Sequence, residues 1–305
     1  MSAPLSVAPR TADTGRPGRG RDRFAQVLLV ALLAVLLAAG WLLWDNRRLD
    51  VTAYEVGPPP NGTEASAAAT GVRIAQVSDL HAASFGTFTQ RLVDAVEAAE
   101  PDLIALTGDL IDVRTADLSE VLAVVERLQA VAPAYFVLGN HEADSTLQDE
   151  LLAGLEERGV VVLRDEAAQV RVAGTEFTLI GIDDPRVRAV RGLEPRDPAE
   201  VLPGLVPSEA GTTVLLAHRP ELLDRYAGQG IDLVLSGHAH GGQVRVPGLG
   251  GLFAPHQGWL PDLSEGVLER GGTTMVISRG LGNSIAAVRV NDPRELVIVD
   301  LRVVP

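Results

Sequence analysis

Five short apolar runs in this chain each end abruptly in a turn rich in Asp, His, Asn and Gly, and this constrains the fold more than any other feature. Val72–Val77 runs into Ser78-Asp79-Leu80-His81, Leu103–Leu106 into Thr107-Gly108-Asp109, and Tyr135–Leu138 into Gly139-Asn140-His141-Glu142. Thr213–Leu216 runs into Ala217-His218, and Leu233–Leu235 into Ser236-Gly237-His238-Ala239-His240-Gly241-Gly242. Runs this short, rich in Val, Ile and Leu and bounded by turn residues, read as strands. Between them, Phe88–Ala99, Leu118–Ala130 and Leu147–Arg158 carry apolar residues at helical spacing, with Val121, Val124, Val125 and Leu128 as one stripe. Further strands are expected at Val160–Leu163, Val170–Val172, Phe177–Ile182, Thr274–Ile277 and Leu296–Val303, and a short helix at Glu221–Ala227. Strands alternating with helices imply βαβ units, and the strand-rich second half implies a second sheet packed on the first. Ligands of open α/β sheets lie outside the carboxyl ends of the strands, so the five turns converge on one crevice.

Taken singly, each turn has an ordinary reading. An Asp after a strand caps or turns the chain, and a lone His is more often a satisfied surface or core residue. Five of the six histidines nevertheless fall in these turns: His81, His141, His218, His238 and His240, with His256 outside them. Capping does not explain that order. Imidazole, carboxylate and amide oxygen together suit Mn, Fe or Zn, and a carboxylate can bridge two ions.

Composition removes several alternatives. The chain has no Cys, so a disulfide framework, a thiolate zinc site and a Cys nucleophile are excluded. All 26 basic residues are Arg, so there is no Walker A lysine, kinase lysine or Schiff base. No Gly-x-Ser-x-Gly is present to make a serine-hydrolase elbow. Residues 1–50 hold seven Arg and four Asp; since the whole chain is at −14, the remainder carries −17, which argues against nucleic acid as the partner.

Val27–Trp44 is an 18-residue run without a charge, nearly long enough to cross a bilayer, with Trp41 and Trp44 where an interfacial belt would lie. Five Arg precede it and two follow, so residues 1–26 are expected to be a disordered cytoplasmic tail, and 27–44 a single-pass anchor in the cell membrane that leaves the rest of the chain outside the cytoplasm. A cleaved signal peptide, using Ala38-Ala39-Gly40, is the competing reading. Residues 45–71, with Gly57-Pro58-Pro59-Pro60-Asn61-Gly62, read as a linker, and 72–303 as the catalytic domain.

The ordered set Asp79-x-His81, Gly108-Asp109, Gly139-Asn140-His141-Glu142, His218 and Gly237-His238-Ala239-His240 resembles the calcineurin-like metallophosphoesterase family over residues 72–303. With the N-terminal anchor, Gly241-Gly242-Gln243 and Ser278-Arg279-Gly280-Leu281-Gly282-Asn283, it is similar to the membrane-tethered bacterial branch, which includes enzymes likened to UDP-2,3-diacylglucosamine pyrophosphatases. The resemblance implies a two-sheet α/β sandwich flanked by helices and two divalent ions. Asp79, His81, Asp109 and His240 would hold the first ion, and Asp109, Asn140, His218 and His238 the second, with Asp109 bridging. Water activated between the ions would attack phosphorus in line, and His141 would donate a proton to the leaving group. His256, Arg279 and Asn283 are candidates to line the substrate pocket. The expected substrate is a phosphorylated small molecule or a lipid-linked phosphate. A metal-binding scaffold on the same fold, without turnover, is the alternative; such scaffolds lack a ligand or the catalytic histidine, and this chain keeps them all.

Overall fold

The structure, a computed structural model, describes residues 19–57, 70–82, 86–208, 211–283 and 288–303. The chain divides after Leu43 into two units. The first holds most of helix α1 (Arg19–Asp45), a span of about 40 Å at 1.5 Å per residue. Leu28, Leu29, Leu32, Leu33, Leu36 and Leu37 are all exposed, so the helix is apolar on every face, as a bilayer solvent requires. The helix starts eight residues before the apolar run, so the expected disorder of residues 1–26 is corrected for 19–26; Arg and Gln are good helix formers and carry the helix outward. Residues 1–18 lie outside the described residues.

The second unit is two six-stranded sheets face to face. The first has the order β1-β16-β2-β3-β4-β5, from β1 (Leu49–Val56), β2 (Thr70–Val77), β3 (Leu103–Leu106), β4 (Ala134–Phe136), β5 (Val161–Val162) and β16 (Arg294–Val303). The second has the order β14-β15-β9-β8-β7-β6, from β6 (Glu166–Val172), β7 (Thr175–Gly181), β8 (Thr213–Leu216), β9 (Leu233–Ser236), β14 (Gly266–Arg270) and β15 (Thr273–Ile277). In each sheet four neighbouring strands run parallel, so their carboxyl ends share one rim. Between the numbered sheet strands lie two small hairpins, β10 (Arg245–Val246) with β11 (Gly250–Gly251), and β12 (Phe253–Ala254) with β13 (Gly258–Trp259).

Side-chain alternation sorts the core into three layers. Val72 and Ile74 of β2 meet Val214, Leu216, Leu233 and Leu235 between the sheets. Ala75 and Val77 point the other way, onto α2 (Gly86–Ala99) and α3 (Ser119–Val131) through Leu92, Val96, Val121 and Val125. Leu215 and Val234 face a third layer with Tyr226 and Met275. Each such aliphatic side chain contributes about 1.5–3 kcal/mol on burial, which fixes strand register because a one-residue slip would turn every one of them to the wrong face.

Most expected elements form within a residue or two of their expected limits. Three differ in kind. The region expected as helix at Glu221–Ala227 is a 3₁₀ turn, Pro220–Leu222, followed by a single helical turn, Leu223–Tyr226. Asn140 and its neighbours form a short helix, α4 (Asn140–Asp144), ahead of α5 (Gln148–Glu157). The expected linker 45–71 is corrected at its start: Leu49–Val56 is β1, paired in parallel with β16 over eight residues, and Val56 is buried. Residues 58–69, including the proline run, lie outside the described residues.

Candidate metal centre

The five turns meet at the rim that the strand pattern predicts. The turn after β2 and the turn after β3 are joined backbone to backbone: Asp79 N donates to Gly108 O at 3.0 Å and His81 N to Asp109 O at 2.9 Å. Asp79, His81, Asp109, His238 and His240 all have φ between 49° and 67°, a left-handed conformation uncommon for residues with a Cβ. Five such residues in one site store backbone strain that the surrounding sheets must hold in place.

The side chains form two groups that share Asp109. Asp79, His81, Asp109 and His240 make one, and Asp109, His218 and His238 the other; all are buried. In the first, His81 Nε2 faces His240 Nε2 at 3.0 Å, and His240 Nε2 lies 3.3 Å from Asp79 Oδ1. In the second, His218 Nε2 is 3.1 Å from Asp109 Oδ2 and 3.2 Å from His238 Nδ1. Asp109 Oδ2 is also 3.8 Å from His81 Nε2.

Donor-atom chemistry tests whether cations fit. His218 Nδ1 donates to the Thr107 carbonyl at 2.8 Å, so in the neutral ring Nε2 carries only a lone pair, aimed at a carboxylate oxygen. Asp109 Oδ2 and the Asn140 side-chain oxygen are buried without a hydrogen-bond partner. Buried acceptors facing one another need a proton or a metal ion between them. Burial opposes charge on His218, but the Asp109 carboxylate beside it pushes the imidazole up to about 10. Burial raises Asp79 to about 6 and drops His81 to about 4, so each group resists its charged form in this interior. Divalent cations would relieve all three, and the residues present fit a metal.

The surroundings fix the ligand atoms. Asp79 accepts from His238 N at 3.0 Å and from the Ser78 hydroxyl at 2.6 Å. Asp109 Oδ1 accepts from His141 N at 2.9 Å. Glu142 accepts from three backbone amides, Asp109 N and Gly139 N at 2.8 Å and Ile111 N at 3.1 Å, tying the β3 and β4 turns together. Burial raises Glu142 to about 7 despite those donors. Gly139 is required by close approach: a Cβ there would overlap Asp109 Oδ1 and stand 2.7 Å from Asp109 N.

The remaining candidates divide. The His141 ring stands edge-on to His81 at 4.6 Å, with Nε2 4.0 Å from Asp109 Oδ2, and is partly open to solvent. His256 is exposed and stacks on His238 with centroids 5.4 Å apart. Arg279 lies among Glu295, Asp50 and Glu265, and its guanidinium is engaged by these carboxylates. Asn283 Oδ1 accepts from Arg289 Nε at 3.3 Å.

Two residues at this site escaped sequence reasoning. Arg289 is fully buried, donates to Gly282 O at 2.6 Å and backs His240 Nδ1 at 3.3 Å. Glu221 lies 3.8 Å from His238 Nε2. Its one sequence signal is that it follows His218 by three residues on the same turn.

The profile of the calcineurin-like phosphoesterase family matches residues 72–242. Phosphodiesterase YaeI of Escherichia coli is 30% identical over 236 residues, 75% of this chain and 82% of that protein. The metallophosphoesterase YkoQ of Bacillus subtilis is 28% identical over 232 residues, 74% of this chain and 82% of that protein. A zebrafish transmembrane protein with a metallophosphoesterase domain is 29% identical over 232 residues, 72% of this chain and 51% of that one.

Proposed function

This chain belongs to the calcineurin-like phosphoesterase family, and from that premise we propose that it hydrolyses phosphoester or pyrophosphate bonds with two divalent ions, Mn, Fe or Zn. Asp79, His81, Asp109 and His240 would hold one ion, and Asp109, Asn140, His218 and His238 the other. The observation that carries the reading is Asp109 Oδ2, buried without a hydrogen-bond partner and within reach of both ligand groups. When bound, two such ions supply Lewis acidity toward phosphoryl oxygens and lower the pKa of water.

The chain's own residues do the rest. Ser78, the His238 amide, the His141 amide and the Thr107 carbonyl hold Asp79, Asp109 and His218 in fixed orientations, so little reorganisation accompanies reaction. His141, partly open to solvent beside His81 and Asp109, is the group we assign to give a proton to the leaving oxygen. Helix α1 serves as a single-pass membrane anchor, with the N-terminus cytoplasmic and the phosphoesterase domain outside. Anchoring favours a lipid-linked phosphate, such as a UDP-diacylglucosamine-like pyrophosphate, as substrate. Every ligand position is filled, which favours turnover over a metal-binding scaffold.

The test is hydrolysis of bis-p-nitrophenyl phosphate by the purified full chain with Mn²⁺, with chelator, and with Asp109→Asn. Chelator-sensitive turnover that disappears in Asp109→Asn is expected. Folded protein that binds no divalent metal and turns over nothing would end the reading.

A further inference from the structure

Beside the metal centre the surface is apolar where a soluble domain is ordinarily polar. Trp259 is 76% exposed, Leu249 65%, Leu260 54%, Val288 50% and Phe253 42%. Phe253 and Trp259 are a cross-strand pair of the β12–β13 hairpin, their rings edge to face at 5.7 Å. The same hairpin turns inward at its tip. Ala254 is fully buried, and His256, held at φ 60°, stacks on the candidate ligand His238. One hairpin thus carries an exposed aromatic pair at its base and reaches the metal centre at its tip.

The rim also lies next to the start of the globular unit. Helix α1 ends at Asp45 and β1 begins at Leu49, so three residues connect them, about 10 Å of extended chain. Asn46 pins this connection, donating to Arg289 O and accepting from Arg289 N, each at 2.7 Å. From there hydrogen bonds lead straight to the rim. Arg245 N donates to Val290 O at 2.9 Å, Leu252 N to Val244 O at 2.8 Å, and Leu260 N to Leu252 O at 2.8 Å. Val288 stands immediately before Arg289.

We propose that the rim formed by Leu249, Phe253, Trp259, Leu260 and Val288 docks on the lipid bilayer and opens the metal centre toward lipid-borne phosphates. The proposal rests on the reading of α1 as a membrane anchor. With α1 read as the anchor, only three residues, about 10 Å of extended chain, separate the end of a helix long and apolar enough to cross a membrane from a strand pinned in the sheet. Exposed Trp partitions into the interface, where the ring is buried and its indole N–H stays wet, and Phe253 adds apolar area beside it. The geometry then gives the hairpin two tasks. Its aromatic base takes the lipid interface, and its tip sets His256 over His238, so a headgroup phosphate arriving from the membrane meets the site beside His256. A nucleotide or other free phosphate would need none of this apolar surface.

The absence of native Cys makes the test direct. Single cysteines replace Trp259, Leu260 or, as a control on the exposed end of β6, Arg171 in the full chain. Each is labelled with a small fluorophore and reconstituted one copy per nanodisc. Quenching by lipids brominated on their acyl chains is expected at positions 259 and 260 and not at 171. Rim labels quenched no more than the control overturn the proposal. Rim labels that escape the lipid quencher and are also shielded from soluble iodide overturn it in favour of a protein partner. Turnover of bis-p-nitrophenyl phosphate is read on the same samples: lost turnover with a quenched rim counts against the phosphoesterase reading and leaves docking standing.

Discussion

Gly139→Ala isolates the idea that the metal centre is set by backbone contact between the β3 and β4 turns. Gly139 has φ −94° and ψ −174°, a conformation open to any residue, so alanine adds no dihedral strain and only the methyl matters. That methyl would stand 2.7 Å from Asp109 N and 2.8 Å from Asp109 Cγ, and would overlap Oδ1. Relaxed carbon contacts lie at about 3.5–4.0 Å, so Asp109 and its turn must retreat by about 0.7–1.3 Å. They cannot do so freely, because Glu142 holds both the Asp109 and Gly139 amides and Asp109 Oδ1 holds the His141 amide. Overpacking of this kind costs about 1–3 kcal/mol, or about 3–9 °C in the melting midpoint of a domain this size. Misplacing the Asp109 carboxylate by about 1 Å is expected to reduce turnover by about 10²-fold. The assay is bis-p-nitrophenyl phosphate hydrolysis with metal content measured on the same protein. Gly204→Ala serves as control, since a Cβ there meets nothing within 4 Å. Wild-type turnover and full metal content in Gly139→Ala would refute the reasoning.

Three further outcomes are expected. His141→Ala should lower turnover by about 10²–10⁴-fold on substrates with poor leaving groups, less on p-nitrophenyl esters, with metal content intact; equal losses on both would exclude proton donation. A chain beginning at Trp44 should fold and turn over, whereas one beginning at Gly57 should melt far lower or fail to fold, since it loses β1 and the burial of Val56, about 1.5–3 kcal/mol by itself. Matching melting curves for the two truncations would contradict the place of β1 in the sheet. Chelation should lower the melting midpoint reversibly, because an ion held at 100 times its dissociation constant stabilises the folded state by about 2.7 kcal/mol; a midpoint indifferent to chelator would mean that no ion is held.

How far the sequence can be read here follows from how local each signal is. The turn residues announce themselves, because a strand pattern that ends on Asp or His is visible within six residues, and parallel strands bring their carboxyl ends together. That rule alone gathers Asp79, His81, Asp109, His218, His238 and His240 at one rim, and the two buried groups lie there. What stayed hidden depends on contacts between distant segments. Arg289 looks like any surface Arg until the fold closes over it beside His240. Arg279 sits in a Gly-rich loop that invites a substrate role, but Glu295, sixteen residues later, brings it a carboxylate. Left-handed φ at Asp79, His81, Asp109, His238 and His240 has no sequence signature, because the surrounding fold imposes it against local preference. The strand β1 is the sharpest case. Leu49-Asp50-Val51-Thr52-Ala53-Tyr54-Glu55-Val56 alternates, but a proline run follows it and its partner lies about 240 residues further on. Alternation shows that one face of such a strand is covered, but not which distant strand it pairs with, so the pairing with β16 is invisible in its own pattern.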